Sequence, residues 1–311
     1  MKRDHGGGLD AAIAEFGGTR KTWLDLSTGI NPDAYPLPDL PHDAWTALPD
    51  QAALDRLIDA ARALWNVPAG AAILPTHGAS APIARIPSRA KSSRVLIPQP
   101  TYNEHAAAFE ACGIEVIASG EADTKVMVNP NNPDGRYWGK DDLTAALNIV
   151  DESFGDVDPN RTLIQYSDRP DTLVLKSFGK FWGLAGLRLG FVVGHPDHIN
   201  PLRDTLGPWS VSGPALAIGA KAFSDHAWNA QTRAHLQQGS DRLDTLMTTN
   251  GAQLVGGTTL FRLYEVDNAT AWQRKLAQHH VWSRIFPYSD TYLRLGLPAA
   301  DRWGHLENAL S

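Results

Sequence analysis

The alternation of apolar and polar positions divides most of the chain into short β-type runs separated by helical spacings. Leu54, Leu57, Ile58, Ala61 and Trp65 recur at helical intervals and predict an amphipathic helix over 51–65. ILPTHGAS (73–80) reads as strand, turn and helix start, and RVLIPQPTYNEH (94–105) as a buried strand entering a Pro-flanked turn and a helix. Further β-type runs fall near 124–129, 148–154, 172–175 and 190–194. The crossover between the strands at 126–129 and 148–154 leaves room for about two helical turns. Nearer the start, a helical run from Leu9 to Phe16 follows HGGG (5–8), and WLDLS (23–27) is strand-like. After a loop and helix at 206–223, a long helix over 228–250 is expected to pass from a large domain into a small one. GGTTLFRLY (256–264), the aromatic run near Ile285–Phe286 and TYLRLGLP (291–298) supply the small domain's strands. Strands and helices alternating from about 70 to 220 predict an α/β fold, with a mainly parallel sheet covered by helices on both faces. The expected division is a large domain over 33–232 and a smaller α+β domain from 1–32 with 233–311.

Composition narrows the function. The 311 residues are 43% hydrophobic and 20% charged, as in a globular protein with a substantial core. A net charge of −6 with no basic run disfavours nucleic acid or an anionic membrane as partner. No apolar stretch approaches the roughly 18 residues needed to span a bilayer. MKRDHGGGLD lacks the apolar core of a signal peptide, and the single Cys112 fits a reducing compartment, so a cytoplasmic location is expected. Cys112 itself, ahead of Gly113, is expected to be a buried small apolar residue. The eleven histidines show no metal-ligand spacing, so no metal is expected.

The candidate chemistry centres on SFGKFWGLAGLRLG (177–190). A β-type run delivers the chain to Ser177, and Gly179 permits a sharp bend before Lys180. Phe178, Phe181 and Trp182 surround that lysine, and a partly desolvated amine is more readily free to attack a carbonyl. Gly183, Gly186 and Gly190 would allow close backbone approach, and Arg188 adds a fixed cation. A Schiff-base lysine with a hydroxyl and a guanidinium for a phosphate is the equipment of a pyridoxal phosphate (PLP) site. The stretch is neither a Walker loop nor a dinucleotide fingerprint, because its glycine spacing fits neither. Gly78, Ala79 and Ser80 would offer amides and a hydroxyl to a phosphate at a helix start. Asp151 ends an apolar strand, where a buried carboxylate needs a cation such as a protonated pyridine nitrogen. Glu152 is the alternative acid, and strand alternation points the two oppositely.

The 177–190 stretch resembles the Schiff-base segment of fold-type I PLP enzymes, the aspartate aminotransferase superfamily. Over nearly the whole chain the likeness is greatest to the threonine-phosphate decarboxylases of cobalamin biosynthesis. That resemblance implies a homodimer with PLP bound through Lys180, Tyr102 stacked on the pyridine ring and Asn132 of Asn-Pro-Asn-Asn-Pro donating to the phenolic oxygen. It implies that STGINP (Thr28, Gly29 and Asn31 within it), the segment of His5 and Gly6, and Arg294 hold the substrate's anionic groups. The implied substrate is O-phospho-L-threonine, decarboxylated to (R)-1-amino-2-propanol O-2-phosphate. The alternative is histidinol-phosphate aminotransferase or another class I/II aminotransferase. Histidinol-phosphate aminotransferases usually carry a tyrosine before the proline where this chain has Leu48, which weakens that alternative. A silent PLP-fold effector module is disfavoured by the absence of a DNA-binding extension.

Overall fold

The computed structural model describes residues 5–90 and 92–311, which divide into two compact units. The larger holds Tyr35–Asn132 and Arg136–Asn229; the smaller holds the chain up to Ala34, Pro133–Gly135 and Ala230–Ser311. The helix His226–Thr249 therefore contributes residues to both.

In chain order the strands begin with β1 (Leu24–Asp25) in the smaller unit. The larger unit then holds β2 (Ala72–His77), β3 (Arg94–Leu96), β4 (Glu115–Ile117), β5 (Thr124–Val128), β6 (Leu147–Glu152), β7 (Thr172–Ser177) and β8 (Leu189–Gly194). These seven form one sheet in the order β2-β8-β7-β6-β5-β3-β4. Every pairing is parallel except those of β8, which runs against both β2 and β7. All residues of β5 and β8, and nearly all of β6 and β7, are buried, because helices cover the faces of a parallel sheet and apolar side chains are needed on each. Val95, Val126, Ile149, Leu173 and Val192 pack with Phe109 of the helix Asn103–Ala111 to form one face of that core. The expected helix over 51–65 is Gln51–Trp65, capped by Asp50 accepting from Ala53 N at 2.7 Å, and it buries Leu57, Ala61 and Trp65.

Four local expectations are corrected. The crossover from β5 to β6 contains a 3₁₀ turn, Lys140–Asp142, rather than α-helical turns. The Asn-Pro-rich turn consumes its first half, while Lys125 Nζ donates to the Asp142 carbonyl at 2.7 Å and Gly139 N to its carboxylate at 2.8 Å, closing the rest tightly. Residues 256–264 do not form a single strand. β9 (Gln253–Thr258) and β10 (Phe261–Glu265) pair as an antiparallel hairpin whose turn is closed by Leu260 N donating to Thr258 Oγ1. Cys112 is exposed, because it caps the helix Asn103–Ala111 where the chain turns outward at Gly113, φ 73°. Gly186 faces open space and serves no close approach.

The smaller unit completes itself with β11 (Val281–Trp282), β12 (Arg284–Phe286) and β13 (Ser289–Gly296). β12-β13-β10-β9 form an antiparallel sheet, and β1 pairs in parallel with β11. Leu9 and Ala12 of the first helix pack on Trp23 and Ala277.

Candidate functional site

In the larger unit the register of the sheet places the expected cofactor residues along one edge. Asp151 lies opposite Val128 on β5 and Leu175 on β7, so the turn after β5, the acid on β6 and the turn after β7 emerge together. Ligands of open α/β sheets bind at such carboxyl ends. Asp151 is 1% exposed, a position in which an isolated carboxylate would be forced neutral. Burial does push it up. The hydrogen bond and charge of His105, whose Nε2 lies 2.7 Å from Oδ2, outweigh that effect together with the Ser153 hydroxyl and amide at 2.6 and 2.9 Å. The carboxyl is held below its ordinary range and stays anionic.

At the other end of the row, β8 is inserted between β2 and β7. Its Gly190 lies opposite both Thr76 and Ser177, so the turns leaving β2 and β7 flank the start of β8. Arg188 immediately precedes that start in a left-handed conformation, φ 56°. Its Nη1 donates to the Ala185 carbonyl at 3.0 Å. The guanidinium lies so close to Gly78 that a Cβ there would overlap it, and a Cβ at Gly190 would overlap the Gly78–Ala79 backbone. Gly78 therefore provides room for the arginine rather than an amide donor; its N–H is taken by the Thr76 carbonyl at 2.8 Å. The amides of Ala79 and Ser80 remain as candidates from that stretch, at the start of the helix Ser80–Arg85.

Lys180 is half-buried in the turn after Ser177, with Nζ 5.2 Å from the Phe154 ring centroid. Phe178, Phe181 and Trp182 are each 1% exposed. Tyr102 stands at the start of the helix Asn103–Ala111, its ring edge-on to His105 at 6.1 Å. Asn132 is half-buried in the turn after β5. Its neighbour Asn131 ties that turn to the one bearing Tyr102, accepting from Thr101 Oγ1 at 2.6 Å and donating to the Pro100 carbonyl at 3.0 Å. These residues fit PLP: a buried anion for a cationic ring nitrogen, a lysine for its aldehyde, and a guanidinium and hydroxyl for its phosphate.

The smaller unit holds all six of the expected substrate residues. Gly6 lies against the Ser27–Thr28 backbone so closely that a Cβ would overlap the Ser27 carbonyl. Gly7 N donates to Ser27 Oγ at 2.7 Å, and Trp282 Nε1 donates to the Gly7 carbonyl at 2.9 Å. Arg294, on β13, is 4% exposed and donates through Nη2 to the same Ser27 carbonyl at 2.6 Å. Gly29 packs along Gly296. Asn31, 3% exposed, accepts from Asp33 N at 3.0 Å and so shapes the end of the loop. His5 is exposed beside Gly6.

Sequence reasoning missed His105 and Ser153. Ser153 was in plain sight, two residues beyond Asp151 where an Asx-type turn is common. His105 is far from Asp151 in sequence, and only its place three residues after Tyr102, on the same side of a helix, hinted at the site.

The model of the family described as aminotransferase class I and II matches residues 22–310. A threonine-phosphate decarboxylase of a Sinorhizobium species is 40% identical, over 94% of this chain and 92% of its own length. The threonine-phosphate decarboxylase of Pseudomonas aeruginosa is 37% identical, over 99% of this chain and 97% of its own. Among solved structures, histidinol-phosphate aminotransferase from Sinorhizobium meliloti in complex with pyridoxal-5'-phosphate superposes with a TM-score of 0.81, covering 98% of this chain and 93% of its own. At 16% identity that likeness is one of fold.

Proposed function

The chain belongs to the class I and II aminotransferase family, and from that premise we propose that it is a PLP-dependent decarboxylase of O-phospho-L-threonine. Its product is (R)-1-amino-2-propanol O-2-phosphate, a precursor in cobalamin biosynthesis. The observation that carries this reading is the near full-length likeness to two threonine-phosphate decarboxylases at 40% and 37% identity. The assembly is a homodimer in the cytoplasm. The exposed apolar side chains of Trp45, Leu48 and Trp209 support a self-association surface on the larger unit.

The bound cofactor supplies an electron sink for the bonds at the substrate's α-carbon. Lys180 would provide the amine that holds it. Asp151, kept anionic by His105 and Ser153, would hold the proton on the ring nitrogen. Arg188, Ser177 and the amides of Ala79 and Ser80 would hold the phosphate, Tyr102 would contact the ring and Asn132 would donate to the phenolic oxygen. Arg294, Thr28, Gly29, Asn31 and the segment of His5 and Gly6 bind the substrate's anionic groups. Decarboxylation would require the substrate's α-carboxylate, rather than its α-hydrogen, to be the group presented for loss. An anchor on the substrate's side-chain phosphate would select that orientation, whereas anchoring of the α-carboxylate by Arg294 would favour transamination.

The substrate phosphate carries nearly two charges at neutral pH. Charge-assisted hydrogen bonds contribute about 1.5–3 kcal/mol each. Two or three such contacts favour O-phosphothreonine over threonine by a hundredfold or more in kcat/KM, at about 1.4 kcal/mol per tenfold. The test compares carbon dioxide release from the two compounds, alongside histidinol phosphate with 2-oxoglutarate. Turnover of histidinol phosphate with no carbon dioxide from O-phosphothreonine would assign the protein to the aminotransferases instead.

A further inference from the structure

Beneath the proposed cofactor site lies a second set of charges that the reaction does not touch. Glu152, Asp156 and Lys176 are 1%, 6% and 2% exposed. Lys176 Nζ lies 2.9 Å from Glu152 Oε2 and 3.2 Å from Asp156 Oδ1. Glu152 also accepts from Leu163 N at 2.6 Å, from Thr162 Oγ1 and from Asn129 Nδ2 at 3.3 Å. Asp156 accepts from the indole nitrogens of Trp65 at 3.0 Å and Trp182 at 3.1 Å.

Burying two anions with one cation is a poor route to stability, because desolvation offsets most of the attraction. The placement of the network is more informative. Glu152 follows Asp151, Lys176 precedes Ser177, Asn129 opens the turn that carries Asn132, and Trp182 is two residues after Lys180. On a strand, neighbouring side chains point to opposite faces. Glu152 and Lys176 are register partners, so their pair lies on the face away from Asp151 and Ser177. The segments that carry Asn132, Asp151, Ser177 and Lys180 are thus tied from behind to one shared ion network.

Trp182 is the most telling member. Its ring is sandwiched between Phe178, centroids 5.2 Å apart at 5°, and Trp228, 5.3 Å apart at 14°. Stacking resists tilting yet lets a ring slide and rotate in its own plane. A directional bond to Asp156 removes that freedom and so sets the backbone just beyond Lys180. We infer that Asp156 is a positioning residue for the reaction, which orients the Lys180 turn through the Trp182 indole and is itself held by Lys176 and Glu152.

This inference rests on the PLP reading, and its test separates the two. Trp182→Phe keeps an aromatic ring in the stack and removes the indole donor together with part of the ring, a loss of volume that Trp65→Phe shares, and Asp156→Asn keeps the shape and removes the charge. Trp65→Phe, which removes the other indole donor to Asp156 from a core helix away from the Lys180 turn, is the control. The main readout is the rate at which Lys180 of apo-protein couples to added PLP, followed by visible absorbance. The pH titration of that absorbance is the second. Trp182→Phe and Asp156→Asn are expected to slow coupling at least tenfold and to displace the titration, with Trp65→Phe close to wild type. Should Asp156→Asn fail to fold, Trp182→Phe alone decides. Equal losses of thermal stability in Trp182→Phe and Trp65→Phe, with coupling rate and titration unchanged, would reduce the network to a structural role and overturn the inference. Wild-type protein that couples no PLP would instead overturn the PLP reading.

Discussion

The carboxylate of Asp151 sits where water cannot solvate it, so its charge depends on His105 and Ser153. Its folded pKa is depressed, so the stability it contributes is present above the unfolded value of about 3.9 and is lost as pH falls through the folded one. His105→Phe moves the folded value upward. The acid-unfolding midpoint of the apo-protein, followed by circular dichroism, is expected to move to higher pH. The loss of one charge-assisted bond costs about 1.5–3 kcal/mol at neutral pH. Lys180→Ala should abolish the borohydride-reducible link to PLP and leave the cofactor bound noncovalently; a reducible link in that variant without substrate amine would exclude Lys180. Local pattern made both residues legible, Asp151 as an acid ending an apolar strand and Lys180 as an amine in an aromatic, Gly-rich turn. His105 was not, because a partner brought in by the packing of a helix across the sheet leaves no mark on the sequence around Asp151.

Among the elements, helices and buried strands were readable because their periodicities differ and their apolar faces are nearly complete. The errors fell where close-range bonds override composition. Thr258 closes a tight hairpin inside one apolar run, and Lys125 with Asp142 draws a crossover into a 3₁₀ turn. Gly78 shows a similar limit: it appeared to supply an amide, whereas its φ of 68° and missing Cβ make space for Arg188. Gly78→Ala is expected to cost about 1–2 kcal/mol for the left-handed backbone. By displacing the guanidinium it should weaken PLP binding at least tenfold in a fluorimetric titration. In the smaller unit, Asp244 on the long helix accepts from Arg262 Nε and Nη2 at 3.0 and 2.7 Å and from Tyr264 OH at 2.7 Å. Asp244→Ala removes the acceptor that clamps helix to hairpin, and a stability loss of about 1–3 kcal/mol is expected by calorimetry. That site is outside the cofactor machinery, so PLP coupling should be unchanged.

For the whole molecule, the net charge is −6, and no described helix is long and apolar enough to cross a membrane. The proposed dimer is checked by sedimentation at micromolar concentration, where a fully active monomer would remove it. The position of β8 also bears on synthesis. Among the described residues β2 pairs with no strand but β8, and more than a hundred residues of chain are made between them. While the ribosome extends the chain, β3 to β7 can assemble as their sequences emerge, and β2 must wait for a neighbour made last. The groups assigned to the cofactor phosphate meet only when that neighbour slots between β2 and β7. A chain that ends before residue 189 and is released from the ribosome should therefore carry Lys180 and Asp151 yet retain no PLP, so cofactor uptake would report that the sheet has closed.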